Sequence, residues 1–393
     1  MFYKRDILSQ LENELKTKET TVITGMRQVG KTTLLIHLFD LVQSANKVLL
    51  DLENPLHRKI FEEENFDAVW SNLSQFGITN SKKAFIFLDE VQNLPQISRV
   101  VKYLYDHWPV KFFLTGSSSY YLKNLFPESL AGRKIIFEIY PLTFKEFMRF
   151  KGIELEIPDS FSKKAEKKNK IAFERYSHYY QKFLEFGGFP AVVLEKNQQR
   201  KRILLQEIFT SYFEKDAKNL AGFRDMSKLR DLILLLVTRI GSRLEIGKLA
   251  SDLSITRETV YNYLSFLEHT YFISLLPKFS ASYDRQAAGS KKLYFCDTGI
   301  ANILGKLSLG QLFEQSVFQS LRPWYRLHYF SKRQRGEIDF VVNDKIALEA
   351  KISTSRQDIE HLRRRAIGAR LKEYYIVTLG YNDQKETIVT VDF

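Results

Sequence analysis

Short apolar runs alternate with helix-period stretches over the first third of the chain. The apolar runs are typical of β-strands buried on both faces and occupy residues 22–24, 48–52, 85–89, 112–115 and 135–140. Strands that alternate with helices predict an α/β fold, in which helices cover both faces of a parallel sheet. Ligands of such sheets bind at the carboxyl ends of the strands. We therefore expect ligand-binding and catalytic residues where each of these apolar runs ends.

A glycine-bounded loop follows the first predicted strand. Gly25, Gly30, Lys31 and Thr32 fill every fixed position of the pattern G-x-x-x-x-G-K-[ST]. Backbone N–H groups of such a loop and the start of the next helix cradle a polyphosphate, Lys31 can reach its β- and γ-phosphates, and the Thr32 hydroxyl can ligate Mg²⁺. The pattern predicts a nucleotide site made by Gly25, Met26, Arg27, Gln28, Val29, Gly30, Lys31, Thr32 and Thr33.

Two adjacent carboxylates end the third predicted strand. Asp89 would hold the nucleotide-bound Mg²⁺ directly or through water, and Glu90 would activate the attacking water. An Asp-Glu pair after a strand is also an ordinary start of a helix. The preceding phosphate loop makes the catalytic interpretation the favoured one.

Two hydroxyl groups and one guanidinium group are further candidates for catalytic roles. Thr115 or Ser117, after the fourth strand, could contact the γ-phosphate or position water, although both are common turn residues. Arg133, just before the fifth strand, could reach the phosphates of its own or of a neighbouring subunit, and a solvated arginine is the plainer alternative.

Together these motifs resemble a known family. The phosphate loop, Asp89-Glu90, residues 115–118 (TGSS), 130–133 (LAGR), 140–147 (YPLTFKEF) and 186–190 (FGGFP) are similar to the AAA-type P-loop ATPases of bacteria and archaea that carry a C-terminal domain of unknown function. The resemblance implies ATP and Mg²⁺ as cofactors and a helical lid in which Pro190 contacts the nucleotide. It also implies a last domain similar to restriction endonucleases of the PD-(D/E)xK type.

The middle of the chain reads as helices around one charged linker. Residues 151–170 are polar and without apolar period, which predicts an exposed linker. Residues 243–273 have the layout of a helix-turn-helix or winged-helix-like module. Its polar face would meet a DNA groove or serve only in packing, and it carries Arg257, Thr259 and Asn262.

A weaker constellation lies near the C-terminus. Asp339 precedes Glu349-Ala350-Lys351 by ten positions, and only a three-residue hairpin loop at 343–345 both aligns one apolar face and sets Asp339 opposite Glu349. With Glu314 upstream, Asp339 and Glu349 could bind a second divalent metal, and Lys351 could orient water. The alternative is a retained fold with a salt bridge and no cleavage.

Composition narrows the cellular setting. The 393 residues carry a formal charge of +13, which suits a nucleic-acid partner, and the single cysteine, Cys296, excludes disulfides within the chain. No apolar run is long enough to cross a bilayer and we see no secretory signal, so we expect a cytoplasmic protein, with a homo-oligomer and an unidentified protein partner left open. We expect four parts: an ATPase core (1–150), a linker and helical lid (151–240), the helix-turn-helix module (241–285) and the endonuclease-like domain (286–393).

The sequence supports two functions. In the first, ATP hydrolysis controls a C-terminal domain that binds or cleaves nucleic acid. In the second, a slow nucleotide-dependent switch recruits a protein partner and the last domain is inactive.

Overall fold

A computed structural model describes residues 2–117, 132–217, 225–280, 289–332 and 336–393. The chain forms two compact units. The first comprises Met1–Tyr140 with His269–Tyr271, and the second comprises Pro141–Glu268 with Phe272–Phe393. The finer division into four parts stays a prediction.

The first unit contains a five-stranded parallel sheet. Its order is β2-β3-β4-β1-β5, so β4 lies between β1 and β3. The α/β fold class and the five strands predicted from the apolar runs are confirmed. The strands are Thr20–Gly25 (β1), Lys47–Asp51 (β2), Ala84–Asp89 (β3), Val110–Gly116 (β4) and Lys134–Ile139 (β5).

Helices connect β1, β2, β3 and β4 in turn and cover the sheet. Strands β1 and β4 are buried along their whole length, as expected of strands with both faces covered. One apolar cluster includes Trp70, Ile86 and Phe112 and joins two of the helices to the sheet. The helices are Leu8–Asn13 (α1), Lys31–Leu41 (α2), Pro55–Lys59 (α3), Phe66–Ser74 (α4) and Ile97–His107 (α5).

The second unit begins with helices. The expectation that residues 151–170 form only an exposed linker is wrong, because Ser160 caps a helix whose first residue, Phe161, is buried. Phe161 packs against the rings of Tyr325, Tyr375 and Phe393. The helices are Phe144–Phe150 (α6), Phe161–Glu166 (α7), Lys170–Phe186 (α8), Pro190–Leu194 (α9), Gln198–Ser211 (α10) and Met226–Val237 (α11).

Two helices and a hairpin follow. Helices Ile246–Leu253 (α12) and Arg257–His269 (α13) lie where the sequence predicts a helix-turn-helix, and Ser254 makes the turn between them with left-handed backbone. Strands Ile273–Leu276 (β6) and Lys292–Phe295 (β7) pair antiparallel. Asp297 then caps helix Thr298–Leu304 (α14), and its buried carboxylate accepts hydrogen bonds from the N–H groups of Gly299 and Gly188.

A mixed sheet ends the second unit. Its order is β12-β11-β10-β9-β8, and α15 and α16 both pack against strand β10. An apolar cluster that includes Val341, Ala347 and Leu362 fixes α16 on the sheet. The elements are Leu309–Leu321 (α15), Leu327–Lys332 (β8), Gly336–Val342 (β9), Ile346–Lys351 (β10), Arg356–Ala369 (α16), Glu373–Thr378 (β11) and Thr387–Val389 (β12).

Candidate functional site

The phosphate loop joins β1 to α2 at the carboxyl edge of the first sheet. A side chain at Gly25 would place its Cβ 2.1 Å from the carbonyl oxygen of Ile139. Gly30 has φ of 99°, a backbone conformation that residues other than glycine rarely adopt. Only glycine therefore satisfies the first position, and glycine is strongly favoured at the second. Helix α2 starts directly after Gly30, so its N-terminal N–H groups face the loop.

Two buried cations are bonded to the backbone of this loop. Lys31 is 4% exposed, and its ammonium donates to the carbonyl oxygen of Met26 at 3.0 Å. The Arg5 guanidinium donates to the carbonyl oxygen of Val29 at 2.9 Å and to that of Tyr140 at 2.8 Å. Arg5 thus ties the loop to the residue after β5. Arg5 was not predictable from the sequence, since no motif marks an arginine 24 positions before its partner.

Hydroxyl groups from two elements converge on the Asp89 carboxylate. Thr32 donates to Asp89 Oδ2 at 2.8 Å, and Thr115 donates to Oδ1. The strand order explains this meeting, because β4, which carries Thr115 near its carboxyl end, lies between β1 and β3. Burial raises the pKa of Asp89, the hydrogen bonds from Thr115 and Thr32 oppose that rise, and the charge of Glu90 adds to it. The group consists of hard oxygen donors, which are the ligands that Mg²⁺ takes, so the residues fit the predicted ion.

Glu90 is held in a second hydrogen-bonded group. Its backbone is left-handed, with φ of 53°, and its N–H donates to the Thr115 hydroxyl at 3.0 Å. Its carboxylate accepts a hydrogen bond from the Gln92 amide, which also donates to the Ser117 hydroxyl at 3.0 Å. The structure therefore brings Glu90, Thr115 and Ser117 together as the motifs predict. Gln92 was missed, because a glutamine two positions after a carboxylate carries no pattern of its own.

The other predicted nucleotide contacts lie on or near the loop, with one exception. Met26 and Val29 are buried, Gln28 has positive φ, and the Arg27 guanidinium lies 3.9 Å from the Glu53 carboxylate. Thr33 is exposed on α2. Pro190 is the first residue of α9 in the second unit, and its contact with a nucleotide stays a prediction.

Arg133 lies away from this cluster. Its carbonyl oxygen accepts from the N–H of Thr20, the first residue of β1, whereas the phosphate loop begins at the last residue of that strand. The rise along β1 separates the two by about 16 Å. The guanidinium pairs with Asp106 at 3.0 Å. Contact with the phosphates of its own subunit is not supported, and only the role on a neighbouring subunit remains as a proposal.

The hairpin of the last sheet has the register that its apolar face predicts. Ile346 pairs with Val342 and Leu348 with Phe340, across a loop of three residues. Continuing this register by one residue sets Asp339 opposite Glu349. The Lys351 ammonium lies 3.8 Å from Glu349 Oε2, also as predicted.

The carboxylates of the predicted second metal site have other partners in the structure. The buried Lys292 ammonium on β7 lies 3.3 Å from Glu314 Oε1 and 3.3 Å from Asp339 Oδ1. Glu349 is paired instead with the Arg365 guanidinium of α16. Over the part of the chain that the structure describes, no three His, Cys, Asp or Glu side chains are arranged to hold a metal ion. Lysine and arginine side chains take the positive role that we assigned to a metal.

The predicted groove-binding residues of α13 are only partly free for contact. Asn262 is exposed, whereas the Thr259 hydroxyl is bonded to that of Thr256, the residue before the helix. Arg257 lies close to the backbone of Gly247 on α12. Residues 331–335 (SKRQR) form a basic run that suits phosphate backbones, and residues 333–335 of it lie outside the described part of the chain.

Family comparisons divide the chain into three segments. Residues 17–148 match a family described as an AAA domain. Residues 177–311 and 309–391 match two further families, each described as a domain of unknown function. The resemblance to AAA-type ATPases is thus supported for the first part, while the resemblance of the last part to restriction endonucleases is not confirmed.

Relatives cover nearly the whole chain. An uncharacterized protein of Methanocaldococcus jannaschii is 28% identical over 97% of this chain and 86% of its own length. An uncharacterized protein of Haemophilus influenzae is 26% identical over 87% of this chain and 84% of its own length.

The chain is also similar to solved structures of two known proteins. One is the RuvB Holliday junction branch migration motor of Thermotoga maritima, with 16% identity, a TM-score of 0.33 and coverage of 70% of this chain and 91% of that one. Another is the ADP form of the ORC2 protein of Aeropyrum pernix, with 12% identity, a TM-score of 0.37 and coverage of 70% and 87%. None of the described helices has the length and apolar character needed to cross a membrane.

Proposed function

We propose that this protein is a Mg²⁺-dependent ATPase whose nucleotide state controls nucleic-acid binding by its second unit. One observation carries the ATPase part. The Asp89 carboxylate joins the Thr32 hydroxyl of the phosphate loop to the Thr115 hydroxyl of the neighbouring strand. This contact places a hard-oxygen cluster beside a phosphate cradle, which is the arrangement that nucleotide hydrolysis needs.

Each residue of the cluster has a distinct task in this mechanism. The loop N–H groups and Lys31 bind the β- and γ-phosphates, and Thr32 and Asp89 would hold Mg²⁺, which neutralises charge on the phosphates when bound. Glu90 accepts the proton of the attacking water. Thr115 and Ser117 orient the γ-phosphate or that water through their hydroxyl groups.

The second unit offers a basic cleft for nucleic acid. Arg243, Lys278 and Lys332 line a cleft of about 750 Å³, and Glu337 is the one acidic side chain among the described residues that line it. The net charge of the chain is +13. Lysine and arginine side chains on such a surface attract phosphate backbones without reading sequence. This charge and this cleft support nucleic acid as the partner.

Phosphate release by the purified full chain tests this function. We expect turnover with ATP and Mg²⁺ that disappears in Lys31→Ala and rises on addition of single- or double-stranded DNA or RNA. Each nucleic acid is added separately at low salt, because screening weakens backbone contacts. Turnover that Lys31→Ala does not reduce would refute the assignment of the site.

The hydrogen bond between Gln92 and Glu90 favours a second candidate function. It occupies the carboxylate that must accept the proton. A hydrogen bond donated to the carboxylate favours its charged form and so weakens it as a base, which would slow hydrolysis and prolong one nucleotide state. In this candidate the protein is a switch that recruits a protein partner. Turnover indifferent to nucleic acid, together with tightly retained ADP, would favour it.

A further inference from the structure

Lys292 stands at the centre of a carboxylate cluster in the second unit. Its side chain is 1% exposed, and its ammonium lies 2.7 Å from Glu337 Oε1. Two further carboxylates, Glu314 and Asp339, each lie 3.3 Å from the same nitrogen. Three carboxylates from β9 and α15 thus surround one ammonium donated by β7.

Every described carboxylate around this point has a partner. Besides Lys292, Glu314 accepts from the Tyr294 hydroxyl at 2.7 Å, and Asp339 accepts from the Ala350 N–H at 3.2 Å. Glu337 also lies 4.0 Å from the Arg243 guanidinium. The arrangement gives each anion a hydrogen-bond donor or a cation, which is the condition for keeping charges out of water.

The lysine keeps its charge in this setting. Burial by itself lowers the pKa of Lys292, but the charges of Asp339, Glu314 and Glu337 outweigh burial and raise it. The ammonium is therefore fixed and positive at neutral pH. Since it is covalently attached, no ion from solution has to enter the cluster.

We propose that Lys292 is a built-in cation that takes the place of a divalent metal among Glu314, Glu337 and Asp339, so that this cluster neither binds Mg²⁺ nor supports metal-dependent cleavage of nucleic acid. The neighbouring carboxylate of Glu349 is also paired with cationic side chains. Glu349 is 4% exposed and forms ion pairs with Arg365 and Lys351, so its charge is also neutralised by the chain. If the proposed function holds, the second unit therefore binds nucleic acid without cutting it at this cluster.

Replacing the ammonium by a neutral group of similar length should show that the three carboxylates need a cation between them. In Lys292→Met three carboxylates lose their shared partner, and repulsion among them destabilises the fold. A divalent ion bound only by the folded state relieves that repulsion and raises the melting temperature. We expect millimolar Mn²⁺ to raise the melting temperature of nucleotide-free Lys292→Met by about 5 to 10 °C and to leave the wild-type value unchanged.

Two variants serve as controls. Lys292→Met combined with Asp339→Asn removes one ligand and should lose the response to Mn²⁺. Lys111→Met removes a buried lysine of the first unit that is bonded to the hydroxyls of Thr17 and Thr21. It should lower the melting temperature, and Mn²⁺ should not restore it.

Mn²⁺ titration followed by electron paramagnetic resonance settles the matter even if Lys292→Met does not fold. The proposal requires that nucleotide-free wild type and Asp339→Asn bind the same amount of Mn²⁺. Wild-type binding that Asp339→Asn abolishes would overturn the proposal, as would folded Lys292→Met that ignores Mn²⁺. Nicking of plasmid DNA by wild type but not by Asp339→Asn would contradict the stated consequence.

Discussion

Asp89 and Glu90 are adjacent in the chain, but their carboxylates have different surroundings. Asp89 is 7% exposed and accepts hydrogen bonds from two hydroxyl groups. Glu90 is half-buried and bonded to a glutamine amide. The left-handed backbone at Glu90 turns the chain between them. The first carboxylate is thus suited to hold a cation, and the second is suited to exchange a proton.

Glu90→Gln should separate nucleotide binding from chemistry. The amide keeps the shape and loses the base, so kcat should fall by about 10²- to 10⁴-fold while ATP still binds. Lys31→Ala should instead abolish tight ATP binding, because the phosphates lose their cation. Fluorescent-nucleotide titration and phosphate release measure the two effects. Normal turnover in Glu90→Gln would mean that another group is the base.

Gln92→Ala should raise basal turnover. The hydrogen bond from Gln92 to the Glu90 carboxylate must be broken or weakened before Glu90 can take a proton. Hydrogen bonds to charged groups contribute about 1.5–3 kcal/mol, so removing this one should increase kcat by roughly 10- to 150-fold. Gln96→Ala, at an exposed position four residues on, is the matched control and should behave as wild type. A loss of activity in Gln92→Ala would show that this residue positions the base productively.

Spacing along the chain decided which site residues were predictable. The loop glycines, Lys31 and Thr32 occupy fixed positions within one short segment, so sequence alone identifies them. Arg5 and Gln92 act through contacts that exist only once the sheet has formed. The same holds for Lys292, which meets Glu314 and Asp339 across 22 and 47 positions.

Among the elements, hairpin β9-β10 is one whose register could be predicted from the pattern of apolar residues alone. Burying one apolar face allowed only one loop length, and the observed register agrees. Helix α7 could not be predicted in this way. Its sequence is charged, and the aromatic residues that pack against Phe161 lie 164 to 232 positions later in the chain. Local composition cannot reveal such distant packing.

The N-terminus of α16 should contain an unusually acidic aspartate. Hydrogen bonds from the hydroxyl and then the N–H of Ser355 lower the pKa of Asp358 to about 2, and Lys351 contributes further. A carboxyl whose pKa is lower in the folded state stabilises the fold above its ordinary value of 3.8. That contribution is lost as the pH falls toward about 2.

Carbon-13 NMR titration of the Asp358 carboxyl measures this pKa directly. In Ser355→Ala both the hydroxyl bond and the capping box at this helix end are lost, so the midpoint should move up toward 3.8. Ser353→Ala, two residues earlier, is the control and should leave the midpoint unchanged. A wild-type midpoint already near 3.8 would contradict the hydrogen-bond account.

At the scale of the whole molecule, the position of Arg133 bears on assembly. It lies at the amino ends of the strands, whereas the phosphate loop of its own subunit lies at their carboxyl ends. A catalytic role for Arg133 therefore requires a neighbouring subunit. An arginine that acts on a neighbour's γ-phosphate contributes roughly 10³- to 10⁵-fold to turnover. We therefore propose a homo-oligomer with shared sites.

Mixing two inactive variants tests this assembly. Arg133→Ala subunits keep an intact phosphate loop, and Lys31→Ala subunits keep the arginine, so a mixture should recover part of the turnover. Arg99→Ala, an exposed arginine on α5, should be active by itself. A monomer by light scattering with full activity would exclude the shared site.

Coupling between nucleotide state and nucleic-acid binding is the main functional proposal, and the affinity for nucleic acid in two nucleotide states measures it. Glu90→Gln with ATP and Mg²⁺ holds the unhydrolysed state, and wild type with ADP holds the other. Fluorescence anisotropy with one labelled duplex at fixed low salt gives both dissociation constants. We predict that they differ by about fivefold or more, the usual lower range for coupled sites. Equal affinities in the two states would contradict the account.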